Sequence, residues 1–242
     1  ALFYLLNFAT IQMFFTPLEA FSIHFAALPW LALTLQKKSL FWFFIVALLT
    51  TPQFFIPTLM LPTVFLLVSI TFRTPKRAFN ALGGFLLINA FWLLPYLYGL
   101  PRNAPVITQA KINQMSSEEV FSRNQAFGDL TNVLLLRGFP LDFEDIDEQG
   151  SFNYLMAPWK NFLNSPVTIT LQWTLTGLFL LGFVASFKKN HQALPSVITF
   201  LIAIFVLANN TPILREAHLW LRSAFPLVGE AFRFPFTKFS LL

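Results

Sequence analysis

The sequence predicts an all-α fold: a polytopic transmembrane helical bundle with a long extracytoplasmic loop and an interfacial amphipathic helix. Three observations carry this expectation. Apolar residues make up 56% of the chain and charged residues 11%, with 32 phenylalanines, whereas a soluble domain carries about 25% charged residues. Apolar runs close to the roughly 20 residues that a helix needs to cross the hydrocarbon core recur along the chain. One long polar passage, Gly99–Pro166, interrupts them.

The pI of 9.7 raises nucleic acid as a partner. The basic residues sit in short clusters between apolar runs instead of on one polar face, so membrane orientation accounts for them and nucleic acid is excluded. The chain has no cysteine, which removes disulfides and thiolate metal sites.

Taken in order, Ala1–Phe15 is apolar throughout and is read as the outer part of a spanning helix, broken at Thr16-Pro17 because proline disfavours helix continuation. The chain starts without methionine, inside that apolar run, and ends at Phe239-Ser240-Leu241-Leu242. We therefore expect an internal piece of a longer protein. Glu19 follows near the outer surface, and Ala20–Gln36 runs into Lys37-Lys38. Ser39–Thr50 and Phe54–Phe72 then lead to Arg73-Thr74-Pro75-Lys76-Arg77, with prolines at 52, 57 and 62 between them. The basic clusters bracket two short spans, or one helix and a re-entrant piece, that return the chain to the side it left. Irregular backbone at membrane depth survives only under cover of protein or beside a wet cavity, which puts this hairpin inside the bundle or beside a cavity.

Phe79–Tyr98 is the next span, with Gly99-Leu100-Pro101 as its exit and Trp92, Tyr96 and Tyr98 as interfacial aromatics. Asn89 within it is expected to bond helix to helix, ahead of contacting a ligand. Val167–Phe187 and Leu194–Ala208 form a pair around Lys188-Lys189, and Asn164-Ser165-Pro166 caps the first of them. The three short basic connections carry seven Lys/Arg and no Asp or Glu, so they face the cytoplasm. Alternation puts 99–166 and 209–242 together on the extracytoplasmic side of the plasma membrane. The chain thus divides into helices over 1–98, the loop 99–166, a helix pair over 167–208 and an interfacial segment over 209–242, with six or seven spans in all.

Within the loop, Ser116-Ser117-Glu118-Glu119 has capping-box spacing. Asp129 to Gly138 reads as a second short helix, with Asp129 as N-cap and Gly138 as the C-terminal stop, apolar enough to dock on the bundle. Asp142, Glu144, Asp145, Asp147 and Glu148 suggest a calcium loop. Position six of such a loop is Asp147 instead of glycine, and position twelve is Asn153 instead of glutamate, so a solvated acidic turn is the better reading. His24, His191 and His218 have no metal-ligand spacing.

Ile213–Phe225 is amphipathic, with Arg215, His218 and Arg222 on one face and Ile213, Ala217, Trp220, Leu221 and Ala224 on the other. Such a helix lies along the membrane surface. In Phe232-Arg233-Phe234-Pro235-Phe236-Thr237-Lys238-Phe239 two cations sit among aromatics, against the orientation bias. Snorkelling to headgroups and binding of a phosphate in a lipid-linked substrate both account for Arg233 and Lys238. Glu19 is either a solvated turn residue or, as an ionisable group beside an apolar run, part of a substrate cavity.

The span Asn89-Ala90-Phe91-Trp92-Leu93-Leu94-Pro95, the loop element Thr131-Asn132-Val133-Leu134-Leu135-Leu136-Arg137-Gly138 and the closing Phe232–Phe239 stretch together resemble the arabinofuranosyltransferase-like branch of the GT-C membrane glycosyltransferases and related polytopic proteins. The resemblance implies a polytopic enzyme that transfers a sugar, with inversion, from a polyprenyl-phosphate carrier on the outer face to a glycan or protein. It implies Arg233 and Lys238 as ligands of the carrier phosphate, with Arg137 as a further candidate. The family's catalytic carboxylate lies in a first outer loop, expected upstream of this chain. A divalent metal is compatible with the resemblance, and the sequence identifies no site for one. Two other classes stay open: a transporter or flippase, for which the proline-broken Thr51–Pro62 is an expected device, and a non-catalytic membrane subunit.

Overall fold

A computed structural model describes residues 4, 7–15, 19–37, 39–109, 124–146, 149–189, 194–225, 234–240 and 242. The described chain is mostly helical. In order, the elements are α1 (Phe8–Phe14), α2 (Glu19–Gln36), α3 (Leu40–Leu49), 3-10 turns over Thr51–Phe55 and Pro57–Leu59, α4 (Met60–Thr71) and α5 (Pro75–Gln109). They are followed by α6 (Leu130–Leu134), a 3-10 turn over Phe139–Asp142, β1 (Glu144–Ile146), β2 (Phe152–Tyr154), α7 (Ala157–Leu163), α8 (Pro166–Lys189), α9 (Leu194–Leu207), α10 (Pro212–Ala224) and α11 (Pro235–Phe239).

The first core is built by α2 to α5 around Leu31, Phe43, Phe54, Leu67 and Phe85. Glu19 opens α2, its negative charge favourable at a helix N-terminus, and Ser39 caps α3. As the prolines predict, the backbone between α3 and α4 tightens into 3-10 turns, with Gln53, Phe54 and Leu59 buried. Phe54 stacks on Trp92 (centroids 5.7 Å apart) and meets the edge of Phe85, which nails this irregular stretch to α5. Arg77 donates to the Leu35 carbonyl, so the second basic cluster folds back on the end of α2.

Several expectations are corrected. α5 does not stop at Tyr98 but continues to Gln109, through Pro95, Pro101 and Pro105, for about 52 Å at 1.5 Å per residue. Each proline removes one ladder donor, yet the helix runs on through all three. Asn89 bonds within α5, not across helices: it donates to the Phe85 carbonyl and accepts from Trp92 Nε1, both at 2.8 Å. A carbonyl one turn back and a donor one turn on satisfy it locally, and its effect is to aim Trp92 at Phe54. Glu144–Ile146 and Phe152–Tyr154 form an antiparallel hairpin, an addition to the all-α expectation. Gly150, at φ +79° between the strands, supplies the left-handed residue that the reversal uses.

Two helices, Pro75–Val106 and Pro166–Ala185, are long and apolar enough to cross a membrane, and a third counts if Leu194–Leu207 and Pro212–Ala224, bent by 75°, make one span. Among the described residues this is fewer than the six or seven spans expected from apolar runs. α3 and α4, of 10 and 12 residues, reach only about 15–18 Å, short of the roughly 30 Å core.

A second core joins Ala9 of α1, Val133 of α6, Val206 of α9, and Phe236 and Phe239 of α11. Ser69 of α4 and Thr199 of α9 share a buried hydrogen bond of 2.6 Å between the two groups of helices. Because Phe54 is the side chain on which α5 and the 3-10 stretch converge, Phe54→Ala should destabilise the detergent-solubilised protein by about 3–5 kcal/mol, read as a lowered thermal midpoint.

Candidate functional site at the seam of the polar segments

The polar loop and the terminal segment, separate in sequence, meet along one seam. Asp129 caps α6 as predicted, its carboxylate accepting the Asn132 amide at 3.0 Å. The helix stops earlier than expected, at Leu134, and the left-handed residue that ends it is Leu136 (φ 54°), not Gly138. Leu136 N–H bonds the Val133 carbonyl and Arg137 N–H the Asn132 carbonyl, the paired bonds of a Schellman ending. A leucine held there carries strain of about 1–2 kcal/mol.

What holds the turn is a set of polar side chains from helices on either side. Thr176 Oγ1 donates to the Leu134 carbonyl (2.9 Å), Gln172 Nε2 to Leu135 (3.3 Å) and Gln12 Nε2 to Leu136 (2.6 Å). Gln12 Oε1 in turn accepts the Gly138 amide at 2.8 Å. The last carbonyls of a helix have no partner within it, and here three successive carbonyls each receive their own donor.

Glycine closes the seam at two points. A methyl group at Gly138 would overlap the ring of Phe236, and one at Gly128 would overlap the Asn209 side chain. Asn210 N–H donates to the Gly128 carbonyl at 2.8 Å, and the rings of Phe139 and Phe234 lie 5.6 Å apart. Asn209, formally the acceptor of an Asn-Asn-Thr sequon, is buried in this contact.

The candidate residues fall as follows. Arg137 donates to Leu163 O (2.5 Å), Gln172 Oε1 (2.9 Å) and Asn164 Oδ1 (3.1 Å), all neutral acceptors. Its Nε is buried without a partner among the described residues, as are Gln125 Nε2, Asn209 Oδ1 and Thr211 Oγ1. A cavity of about 10 Å³ lined by Arg137, Asn124, Leu207 and Phe236 has room for roughly one water and no more. Lys238 is 5% exposed, donates to the Phe234 carbonyl at 3.2 Å and lies 5.9 Å from the Phe234 ring. Glu19 is exposed at the start of α2. Arg233 lies outside the described residues, as do Ser116–Glu119 and the acidic pair Asp147 and Glu148.

Among the described residues no three His, Asp or Glu side chains converge as a metal would require. Asp142 is instead bound by Lys160 at 2.5 Å, with Lys160 over the Tyr154 ring. α10 forms as predicted, but His218 turns toward the protein, stacked on Phe205 with Nε2 donating to its carbonyl at 2.8 Å. It therefore leaves the polar face that Arg215 keeps. Ile213 and Trp220 are exposed.

Sequence reasoning missed Gln12, Gln172 and Thr176, which build the site. The available signal was an amide or hydroxyl inside an otherwise apolar run. No family model, characterised protein or solved structure matches the chain.

Gln12→Ala leaves the Gly138 amide and the Leu136 carbonyl without donor or acceptor and should cost about 2–4 kcal/mol, measured by thermal unfolding in detergent. Gly138→Ala should cost about 1–3 kcal/mol by overpacking against Phe236, and Gly138→Ala combined with Phe236→Leu should recover part of the loss.

Proposed function

We propose that this chain is a membrane glycosyltransferase, or part of one, taking a sugar from a polyprenyl-phosphate donor on the extracytoplasmic face of the plasma membrane and passing it to a cell-envelope glycan or protein. The observation that carries the reading is the seam: Gly138 lies under Phe236 and Phe139 beside Phe234. Arg137 and Lys238, both named for a phosphate, therefore belong to one region. A phosphodiester suits a guanidinium fork and an ammonium in a setting where the guanidinium's protein partners are neutral. The polyprenyl tail needs an apolar wall, and Leu87, Phe91 and Leu94 of α5 offer exposed apolar surface. Lys238 is buried in this arrangement, so a phosphate reaches it after α11 shifts. Arg233, beside that helix in sequence, is the second cation of the pair.

A transporter is the second reading, favoured by one observation. The proline-broken stretch between α3 and α4 buries a polar pair, His24 Nδ1 and Gln53 Oε1 at 2.6 Å, of the kind that lines transport pathways.

In lipid nanodiscs, Arg233→Gln and Lys238→Gln in the full-length protein should each weaken binding of polyprenyl phosphate by about ten- to a hundredfold and leave binding of the uncharged polyprenol unchanged. Equal affinity of both variants for the phosphate removes the phosphate role, and uptake of a solute by proteoliposomes would favour the transporter.

A further inference from the structure

The hydrogen bonds of the Leu134–Gly138 turn report its depth. In α8, Pro166–Ala185 is a candidate span of 20 residues, about 30 Å long and equal to the hydrocarbon thickness. Counted from Pro166, Gln172 lies about 9 Å and Thr176 about 15 Å along the axis. These are the side chains that donate to the carbonyls of Leu135 and Leu134. The turn therefore sits level with the upper half of the span, down to its middle. Away from it, α8 leaves Leu171, Trp173, Leu178, Leu181 and Val184 exposed, a surface fit for lipid.

A second measure agrees. Phe200 of α9 packs against Phe179 and Phe183 of α8, with ring centroids 5.5 and 5.0 Å apart. From Phe200 the chain runs only about 10 Å further, to the end of α9, before Asn210 takes the Gly128 carbonyl. The place where the loop enters the seam is thus below the head of α8, near the level of Gln172.

We infer that Gly128–Phe139 is a re-entrant loop, entering the hydrocarbon thickness beside α8 and turning at Leu134–Arg137. The way its backbone is satisfied separates this from a loop lying on the surface. Water would serve the carbonyls at the end of a surface helix, whereas at membrane depth each needs a donor from the protein. Leu134, Leu135 and Leu136 have one each, and the Gly138 amide has Gln12. Arg137 reaches back to Leu163 and Asn164 at the head of α8, as a long cation does when its backbone is below the headgroups. This placement does not depend on which chemistry the seam performs.

The chain has no cysteine, so single labels are direct. In the full-length protein reconstituted in bilayers, spin labels at Leu130→Cys and Leu134→Cys should collide with oxygen in preference to a water-soluble nickel chelate. They should resemble a label at Leu178→Cys and differ from one at Glu144→Cys on the exposed hairpin. Labels at 130 and 134 as open to nickel as the one at 144 would overturn the inference. In the Leu134→Cys background, Gln172→Ala with Thr176→Val should speed reaction with a membrane-impermeant maleimide by about tenfold, since two buried hydrogen bonds are lost. An unchanged rate would mean these side chains do not hold the loop at depth, which also counts against it. Should the double variant fail to fold, the depth measurement on the singly labelled chain still decides.

Discussion

Buried backbone must be hydrogen-bonded, and the rest of this structure depends on how that constraint is met at Leu134–Gly138. A helix ending leaves carbonyls that its own turns cannot serve. Here the ending is also strained, with a leucine in left-handed conformation at 136. Gln12 bonds the carbonyl of the strained residue itself and the Gly138 amide two residues on. Gln172 and Thr176 hold the two carbonyls before it. Because α1 and α8 supply these groups, the turn is where the amino-terminal helix, the loop and the later helix pair become one body. The tightness of Gly138 on Phe236 then fixes the carboxy-terminal helix against the same point.

Much of the architecture was legible, and the parts that were not share a cause. Proline at 52 and 57 announced irregular backbone because the ring removes a donor, whereas Pro62 falls in the first turn of α4, where the missing donor has no helical partner to lose. Asp129 announced a cap for an equally local reason. Gly138 misled, since a glycine after a helical run signals a left-handed stop, while here its missing side chain makes room for an aromatic ring almost a hundred residues later. Pro101 misled too, because a helix loses one bond at a proline but need not end there. Among the described residues fewer helices than expected reach span length, because an apolar run does not measure helix length: α3 and α4 are apolar but short, and α3 buries only Phe43 and Ala47.

The site was half legible for the same reason. Cations among aromatics stand out against an apolar sequence, so Arg137 and Lys238 could be named. The residues that position them carry no charge. Gln12 and Gln172 matter through partners more than thirty residues distant, and nothing local marks them. Glu19 shows the converse: a lone carboxylate is conspicuous in such a sequence, yet the fold leaves it exposed at a helix start, where the dipole alone accounts for it.

The two irregular stretches, 51–59 and 128–139, obey one rule with opposite results. Around Thr51–Phe55 the 3-10 turns satisfy much of their backbone internally and the cover is aromatic, with Phe54 between Trp92 and Phe85. At 134–138 the turn cannot satisfy itself, and the cover is polar. A polar lining in an apolar protein is costly to bury, and once present it lowers the cost of bringing further charge to the same place. The Arg137 guanidinium sits among neutral acceptors there, solvated by amides and carbonyls without being neutralised. An anionic ligand would supply what those acceptors do not, and on that ground we propose the seam, ahead of the exposed acidic hairpin or the aromatic core, as the place for a phosphate.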